Sequence, residues 1–344
     1  MLCLLSPEER VPQDHPLREI RRLADRALAA MSEDFDAIDA DGGRRSVPPE
    51  RLLKSSLLIA LYSIRSERQF CEQLEYNLLF RWFLDMDMME PAFDPTTFTK
   101  NRRRLMDADI AAVFFATIRE QARDLMSREH FSVDGTLLEA WASMKSFRPK
   151  EDDGGDNNGW ADFRGHKRKN DTHESKTDPE ARLYRKGRGH EARLCFAGHA
   201  LVENRHGLLV DLRVSEANGF AERQTALEMV EGHLGRGATL GADRGYDTRG
   251  FVAGCREHGV TPHVTQHRHP RRRSAIDGRT TRHVGYRISQ TIRMRIEQVF
   301  GWLKTVGGLR RTRFRGRRKT QFAAYLAGAA YNLLRVSRLR SCTS

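Results

Sequence analysis

Over the first 128 residues the apolar positions recur at helical spacing. Leu17, Ile20, Leu23, Leu28 and Met31 fall roughly on one face of an early helix. Ser46-Val-Pro-Pro-Glu50 reads as a helix start, because proline suits a first turn, and Leu52, Leu53, Leu57, Leu58 and Leu61 follow it. Ser66-Glu-Arg-Gln69 has the spacing of a capping box ahead of Phe70, Leu74 and Leu78. Asp94-Pro-Thr-Thr-Phe98 opens another helix that runs into Arg102-Arg-Arg104, and a longer one is expected from Ile110 to Met126. These elements predict an all-α N-terminal domain over residues 1–128. Its basic helix ends fit a helix-turn-helix-like DNA reader, and they also fit a bundle that only packs.

The pattern changes at His130. Phe131-Ser-Val-Asp134 reads as a strand. From Ser146 to Gly189 the chain is charged, rich in Gly and Asn and poor in aliphatic residues, so a mobile insertion is expected at about 146–190. Leu194–Val202 and Leu208–Val214 read as two strands of a hairpin, joined by Asn204-Arg-His-Gly207. A helix is expected from Ala221 to Leu234, a fourth strand ending at Asp243, a helix from Thr248 to His258 and a fifth strand from Val260 to Val264. A helix carrying Glu297 follows. The last helix, Gln321 to Arg338, is apolar enough to be buried through Phe322, Tyr325, Leu326, Leu333 and Leu334. Three strands, helix, strand, helix, strand, helices is the order of an α/β ribonuclease-H-like core. The expected catalytic domain is therefore a mixed five-stranded sheet flanked by helices over residues 129–340. In that fold the first and fourth strands are neighbours.

Charge sharpens this picture. The chain of 344 residues carries a formal +13, but residues 265–344 hold 20 Lys and Arg against two Asp and Glu, so the rest is net negative. So concentrated a positive block favours a polyanion, nucleic acid above all, with a solubilising surface as the alternative. Five cysteines without a CxxC pair argue for reduced thiols in the cytoplasm. Met1-Leu-Cys-Leu-Leu5 is too short for a signal-peptide core, and no apolar run is long enough to span a membrane. No G-x4-G-K-[ST] loop is present, so no nucleotide cofactor is expected.

Three acids stand in settings suited to phosphodiester chemistry: Asp134 and Asp243, each expected at a strand end, and Glu297 on a helix. In-line cutting needs an activated water and a stabilised leaving oxygen, which two divalent ions supply together. Hard ions such as Mg²⁺, or Mn²⁺ as a substitute, want oxygen ligands, so Asp134, Asp243 and Glu297 are the expected holders of two Mg²⁺. At about 100° per residue Arg293 lies about 40° from Glu297 and Lys304 about 20°. The two cations are therefore placed to grip phosphate beside the acid, or simply to pair with it. Trp302 is either core or a platform for an unpaired base. Arg310, Arg311, Arg313, Arg315, Arg317, Arg318 and Lys319 fill seven of ten positions, which reads as a phosphate-tracking loop with salt-sensitive affinity. His263, His267 and His269 lack a fourth ligand at finger spacing and read as basic-region histidines near phosphate. Asp247 reads as the cap of the next helix; Glu139 and Asp211 are further acids near strands.

Taken together, Ser-Val-Asp134-Gly-Thr, Gly-Ala-Asp243-Arg-Gly-Tyr-Asp and Arg293-x3-Glu297-x6-Lys304 resemble the DDE transposases of bacterial insertion sequences. They are most similar to the subgroup with a Tyr-Arg-Glu-Lys signature. Asp94-Pro-Thr-Thr-Phe98 with Arg102, and Thr177-Asp-Pro-Glu-Ala-Arg182, resemble further parts of that subgroup, so the likeness covers nearly the whole chain. One position departs: the signature tyrosine falls at Gln290, with Tyr286 out of register. The resemblance implies cleavage at terminal inverted repeats of double-stranded DNA, then joining of the 3′ ends to target DNA. It also implies a synaptic complex of two or more protomers in a bacterial, nucleoid-associated setting. Alternatives are a nuclease of the same fold without strand transfer, and a catalytically silent DNA-binding relative.

Overall fold

The computed structural model describes residues 6–36, 47–150, 168–185, 187, 189–268 and 273–342. The N-terminal third is helical: α1 Pro7–Arg10, α2 Pro16–Ala29, α3 Ser32–Asp36, α4 Pro49–Leu61, α5 Glu67–Tyr76, α6 Leu78–Phe83, α7 Pro95–Asp107 and α8 Ile110–Gln121. The apolar positions that predict α2 are all buried, and His15 Nδ1 caps it by accepting from the Leu17 amide at 3.2 Å. Ser66 Oγ accepts from the Gln69 amide at 3.1 Å, but the return arm differs from the expected capping box. Gln69 Oε1 takes the Arg65 amide, one residue before the cap, at 3.1 Å. Helix α8 ends at Gln121, short of the expected Met126, because the chain tightens into a 3₁₀ turn over Arg123–Leu125.

The rest of the chain holds β1 His130–Glu139, β2 Phe147–Pro149, β3 His173–Ser175, β4 Arg182–Tyr184, β5 Arg193–Glu203, β6 Leu209–Glu216, α9 Ala221–His233, β7 Thr239–Ala242, α10 Arg249–Glu257, β8 Thr261–Val264, α11 Gly278–Thr281, α12 Val284–Ile292, α13 Arg295–Thr305 and α14 Arg317–Ser341. Strand β5 pairs antiparallel with β6 and with β1; β1, β7 and β8 run parallel. The resulting order β6-β5-β1-β7-β8 is ribonuclease-H-like. Short β4 pairs with the start of β5, so the sheet has six strands where five are expected. Strands β2 and β3 form a separate antiparallel pair flanking residues 151–167. The mobility expected of the insertion falls on those residues, which lie outside the described ones.

Alternation along the strands splits the core. Phe131, Val133, Leu201 and Val210 face α9 and α10, where Ala226, Met229, Val230, Phe251 and Val252 meet them. Leu138, Phe196, Ala200 and Leu212 face the other way, onto α13 and α14. Helix α14 starts four residues earlier than expected, so Arg317, Arg318 and Lys319 form its first turn. Its cap residue, Gly316, has φ +87, the left-handed region that glycine enters without a Cβ penalty, and offers no side chain to the helix amides. Acids from elsewhere supply the acceptors: Asp178 Oδ2 takes the Gly316 amide at 3.1 Å, and Glu180 Oε2 takes that of Arg317 at 2.8 Å. The Thr177–Arg182 stretch thus anchors the last helix.

Along α14, Ala324, Ala327, Ala330 and Leu333 are buried in the same cluster as Leu23 of α2, Leu57 of α4 and Phe114 of α8. A Cβ at Gly328 would come within 3.0 Å of the Phe115 ring, so the two helices touch closely there. The N-terminal helices and the sheet therefore share one contiguous core. At the β5–β6 turn, Glu203 is fully buried and its carboxylate accepts four backbone amides, from Ser127, Arg205, His206 and Leu208, at 2.8–3.1 Å. Among the described residues no helix is long and apolar enough to cross a membrane. Cys71, Cys195, Cys255 and Cys342 are free thiols; Cys3 lies outside the described residues.

Candidate active site

The β1–β7 register places the two aspartates together. Ser132 pairs with Gly241, and two residues further along each chain stand Asp134 and Asp243. Parallel neighbours lie about 4.8 Å apart, so both carboxylates belong to one edge of the site. Asp243 follows β7 directly, as expected of a strand end. Asp134 does not end its strand. Pairing with β5 carries β1 on to Glu139, and Asp134 sits in mid-strand opposite Ala200. The Gly135 amide donates to Asp134 Oδ1 at 2.8 Å, and the Gly245 amide to Asp243 Oδ1 at 2.7 Å.

Burial, with the neighbouring charges of Asp243 and Glu222, pushes the Asp134 carboxyl up to about 7; the Gly135 amide and Arg293 pull the other way. This makes metal-free stability depend on pH. The folded protein holds a proton on Asp134 that an unfolded chain, at the ordinary 3.8, has shed. The contribution is fully present below the ordinary value and is lost as pH rises through about 7. In EDTA, Asp134→Asn is therefore expected to melt above the wild type at pH 8.5, the two converging near pH 4. Equal melting at both pH values in a thermal scan would refute the assignment.

Glu297 lies in the first turn of α13. That helix turns Ile296, Val299, Phe300 and Leu303 inward, which leaves Glu297 exposed. Among the described residues, no three His, Cys, Asp or Glu side chains stand close enough to share one ion. The register of β1 and β7 brings the two aspartates side by side, and Asp134, Asp243 and Glu297 do not stand as a ready three-acid cluster. Lys304 shares α13 with Glu297, as helical spacing predicts. Arg293 does not: α12 ends at Ile292, and the Ile296 and Glu297 amides reach back only three residues, to Arg293 and Met294. This tighter turn replaces the regular helix that an angle of about 40° between Arg293 and Glu297 requires. Arg293 instead sits beside Asp134, near Gly241, whose Cβ would lie 3.4 Å from that of Arg293.

Gln290, in the signature tyrosine's slot, faces inward. Its amide nitrogen donates to the His263 carbonyl, and its Oε1 accepts from Thr265 Oγ1 at 2.6 Å and Arg293 Nε at 3.1 Å. It ties α12 to β8 and orients Arg293. Tyr286 also turns to β8, donating to the Val264 carbonyl at 3.0 Å.

The basic run is not one uninterrupted loop. Arg311 donates to the Trp141 carbonyl at 3.0 Å, Arg313 to that of Ile64 at 3.0 Å and Arg318 to that of Met106 at 2.9 Å. These three hold the segment against the fold, and Arg317 pairs with Glu180 at 3.8 Å. Arg310, Arg315 and Lys319 are exposed. Trp302 is half-buried with its ring edge-on to Tyr331 at 5.5 Å, which fits the core alternative. His263 is buried against Ser289 at 2.7 Å rather than set at the surface near phosphate, and burial pulls its imidazole down to about 4. His269 lies outside the described residues. Asp247 caps no helix; Thr248 does so. Buried Asp247 instead accepts the His267 amide at 2.6 Å and that of Ala275 at 2.8 Å, pinning both ends of the segment between them.

Glu222, in the first turn of α9, escapes the sequence reading, while Tyr246, which closes the 3₁₀ turn after Asp243, is the tyrosine of the Asp243 motif. Glu222 is held above the usual carboxylate range by burial and by Asp243. Nothing in the local pattern marks Glu222, since only the packing of α9 on β1 brings it against Gly135. The carboxylates of Asp134 and Asp243 offer oxygen donors of the kind a hard divalent cation takes.

No curated protein matches the chain. Among solved structures, a piggyBac transposase synaptic complex with hairpin DNA is similar at 10% identity, with 95% of this chain and 76% of that one covered and a TM-score of 0.44. A Mos1 transposase paired-end complex with left transposon end is similar at 11% identity, over 74% of this chain and 69% of that one, with a TM-score of 0.20. Two family models match: a Transposase domain (DUF772) over residues 5–104 and a Transposase DDE domain over residues 127–333. Since the second match takes in β1, β7 and α13 and covers more than half of the 344 residues, the chain belongs to the DDE transposases, metal-dependent enzymes that cut DNA.

Proposed function

We propose that this transposase cuts at the terminal inverted repeats of its own insertion sequence and joins the freed 3′ ends to target DNA. The observation that carries the reading is the β1–β7 register, which sets Asp134 level with Asp243. Asp134, Asp243 and Glu297 would hold two Mg²⁺, with Mn²⁺ as a substitute; bound there, the ions would supply Lewis-acid activation of water and of the leaving oxygen. Arg293, oriented by Gln290 beside Asp134, is placed to receive a phosphate. Exposed Arg310, Arg315 and Lys319 extend a positive surface for the DNA backbone. Residues 1–128 are the DNA-reading part and 129–340 the catalytic part, with 146–190 inserted in it. The protein acts in the cytoplasm, on the nucleoid, as a dimer or larger synaptic assembly.

The test supplies DNA flanking this chain's own gene, with Mg²⁺ or Mn²⁺. Cuts at matching inverted repeats, followed by covalent joining to a second DNA, are expected. Cutting without joining would replace the proposal with a nuclease; binding without cutting in either metal would replace it with a silent DNA-binding relative.

A further inference from the structure

We infer that Phe220 is a specificity-determining residue of the cutting site: its ring takes the face of an unpaired DNA base beside the phosphate that is cut. The inference rests on the reading of Asp134 and Asp243 as the acids that cut DNA.

Topology puts Phe220 at the edge where Asp243 stands. Strand β5 is antiparallel to both β1 and β6, so β6 runs the same way as β1 and β7. The connection from β6 to α9, residues 217–220, therefore leaves the sheet at the carboxyl end of β6, the end at which Asp243 follows β7. In open α/β sheets ligands bind in the crevice outside the carboxyl ends of the strands. Hydrogen bonds then fix the position. Asn218 Oδ1 accepts the Phe220 and Ala221 amides at 2.9 and 2.6 Å, a turn closed by a side chain at the start of α9. Arg223 bridges two loops: Nη2 donates to the Gly219 carbonyl at 2.8 Å and Nη1 to that of Gly245 at 3.3 Å. The Gly245 amide is the one that holds Asp243 Oδ1 at 2.7 Å. The same guanidinium lies 5.9 Å from the centre of the Phe220 ring. One arginine thus couples the ring to the turn that carries Asp243.

Held in this way, Phe220 is still 77% exposed. That apolar area is recovered only when something flat covers it. Arg244 and Arg249, both exposed on the segment that follows Asp243, add positive charge, so the partner that fits joins a flat apolar face to phosphate. A base in a duplex turns only its edges to a protein. A base out of the stack turns its face, and an aromatic ring can stack on any of the four.

The test is single-turnover cutting, in Mg²⁺, of DNA flanking this chain's own gene, either fully paired or mismatched at the base next to the mapped cut. Phe220→Ala is expected to cut paired DNA about tenfold more slowly than the wild type, and mismatched DNA within about threefold of it, because the mismatch already frees the base. Phe220→Trp, which keeps an aromatic face, should cut both at close to the wild-type rate. A ring that only supported the fold would be missed equally on the two substrates. Equal loss on both, or wild-type cutting of paired DNA by Phe220→Ala, overturns the inference and leaves the cutting acids in place. If the wild type cuts neither DNA, the reading of those acids falls and the inference with it.

Discussion

Asp243→Asn is expected to lower metal-dependent DNA cutting by about a thousandfold or more, while DNA affinity stays within about twofold of the wild type. The amide keeps the shape of the side chain and can still accept the Gly245 amide through its oxygen, so the turn after β7 stays in place. What is lost is one full negative charge opposite Asp134. Metal-assisted phosphodiester cutting draws several kcal/mol from charge stabilisation at such a site, and each 1.36 kcal/mol is tenfold in rate. DNA affinity should hold because removing an acid from a phosphate-facing edge does not weaken attraction. Asp134→Asn should fall to a similar floor and the double variant scarcely lower, since groups acting as a unit are not additive. Gel-resolved cutting by purified protein, alongside a binding assay at fixed salt, reads both quantities. An Asp243→Asn protein that cuts within tenfold of the wild-type rate would remove Asp243 from the chemistry.

The second large effect lies away from the acids. Glu203→Ala should cost about 4 kcal/mol of stability, because the carboxylate serves four backbone amides and those of Ser127 and Leu208 are buried. Each buried donor left without a partner costs about 1–3 kcal/mol, and neither can turn to solvent. The damage should also reach α13, since Arg295 donates to the Asn204 and Arg205 carbonyls of this same turn at 2.8 and 3.0 Å. Urea unfolding is the measurement. The midpoint should fall at an unchanged slope, with Glu203→Gln intermediate because one acceptor oxygen remains. A loss below about 1 kcal/mol would mean that the turn folds without Glu203.

Where local pattern governs the outcome, the sequence was a good guide. The buried stripe of α2, the cap at Asp94 and the Asn204–Gly207 turn follow from spacing and turn chemistry, and the strand order leads to the sheet topology. The failures have a common cause in distant partners. Strand β1 outruns its apolar stretch because β5 pairs with it. Helix α14 begins inside the arginine run because Asp178 and Glu180 receive its first amides. Asp247 looks like a cap by sequence and is instead a buried clamp on residues about 20 and 28 positions away. In the site, Asp134, Asp243 and Glu297 were visible as acids in marked settings. Glu222 was not, because its place against Gly135 depends on the side chain that glycine lacks.

The core shared by α14 and the N-terminal helices also sets an order of events during synthesis. Leu23, Leu57 and Phe114 are made early, yet Ala327, Ala330 and Leu333, which bury them, lie about 220 to 300 residues downstream. At about 5–20 residues per second, the first helices wait roughly 15–60 s on the ribosome for their last partner. The helical N-terminal part is therefore completed only as the final helix emerges, after β7 and Asp243 have been made. A nascent chain cut short before residue 317 would leave those apolar faces open, a substrate for chaperones and proteases rather than an occupant of DNA.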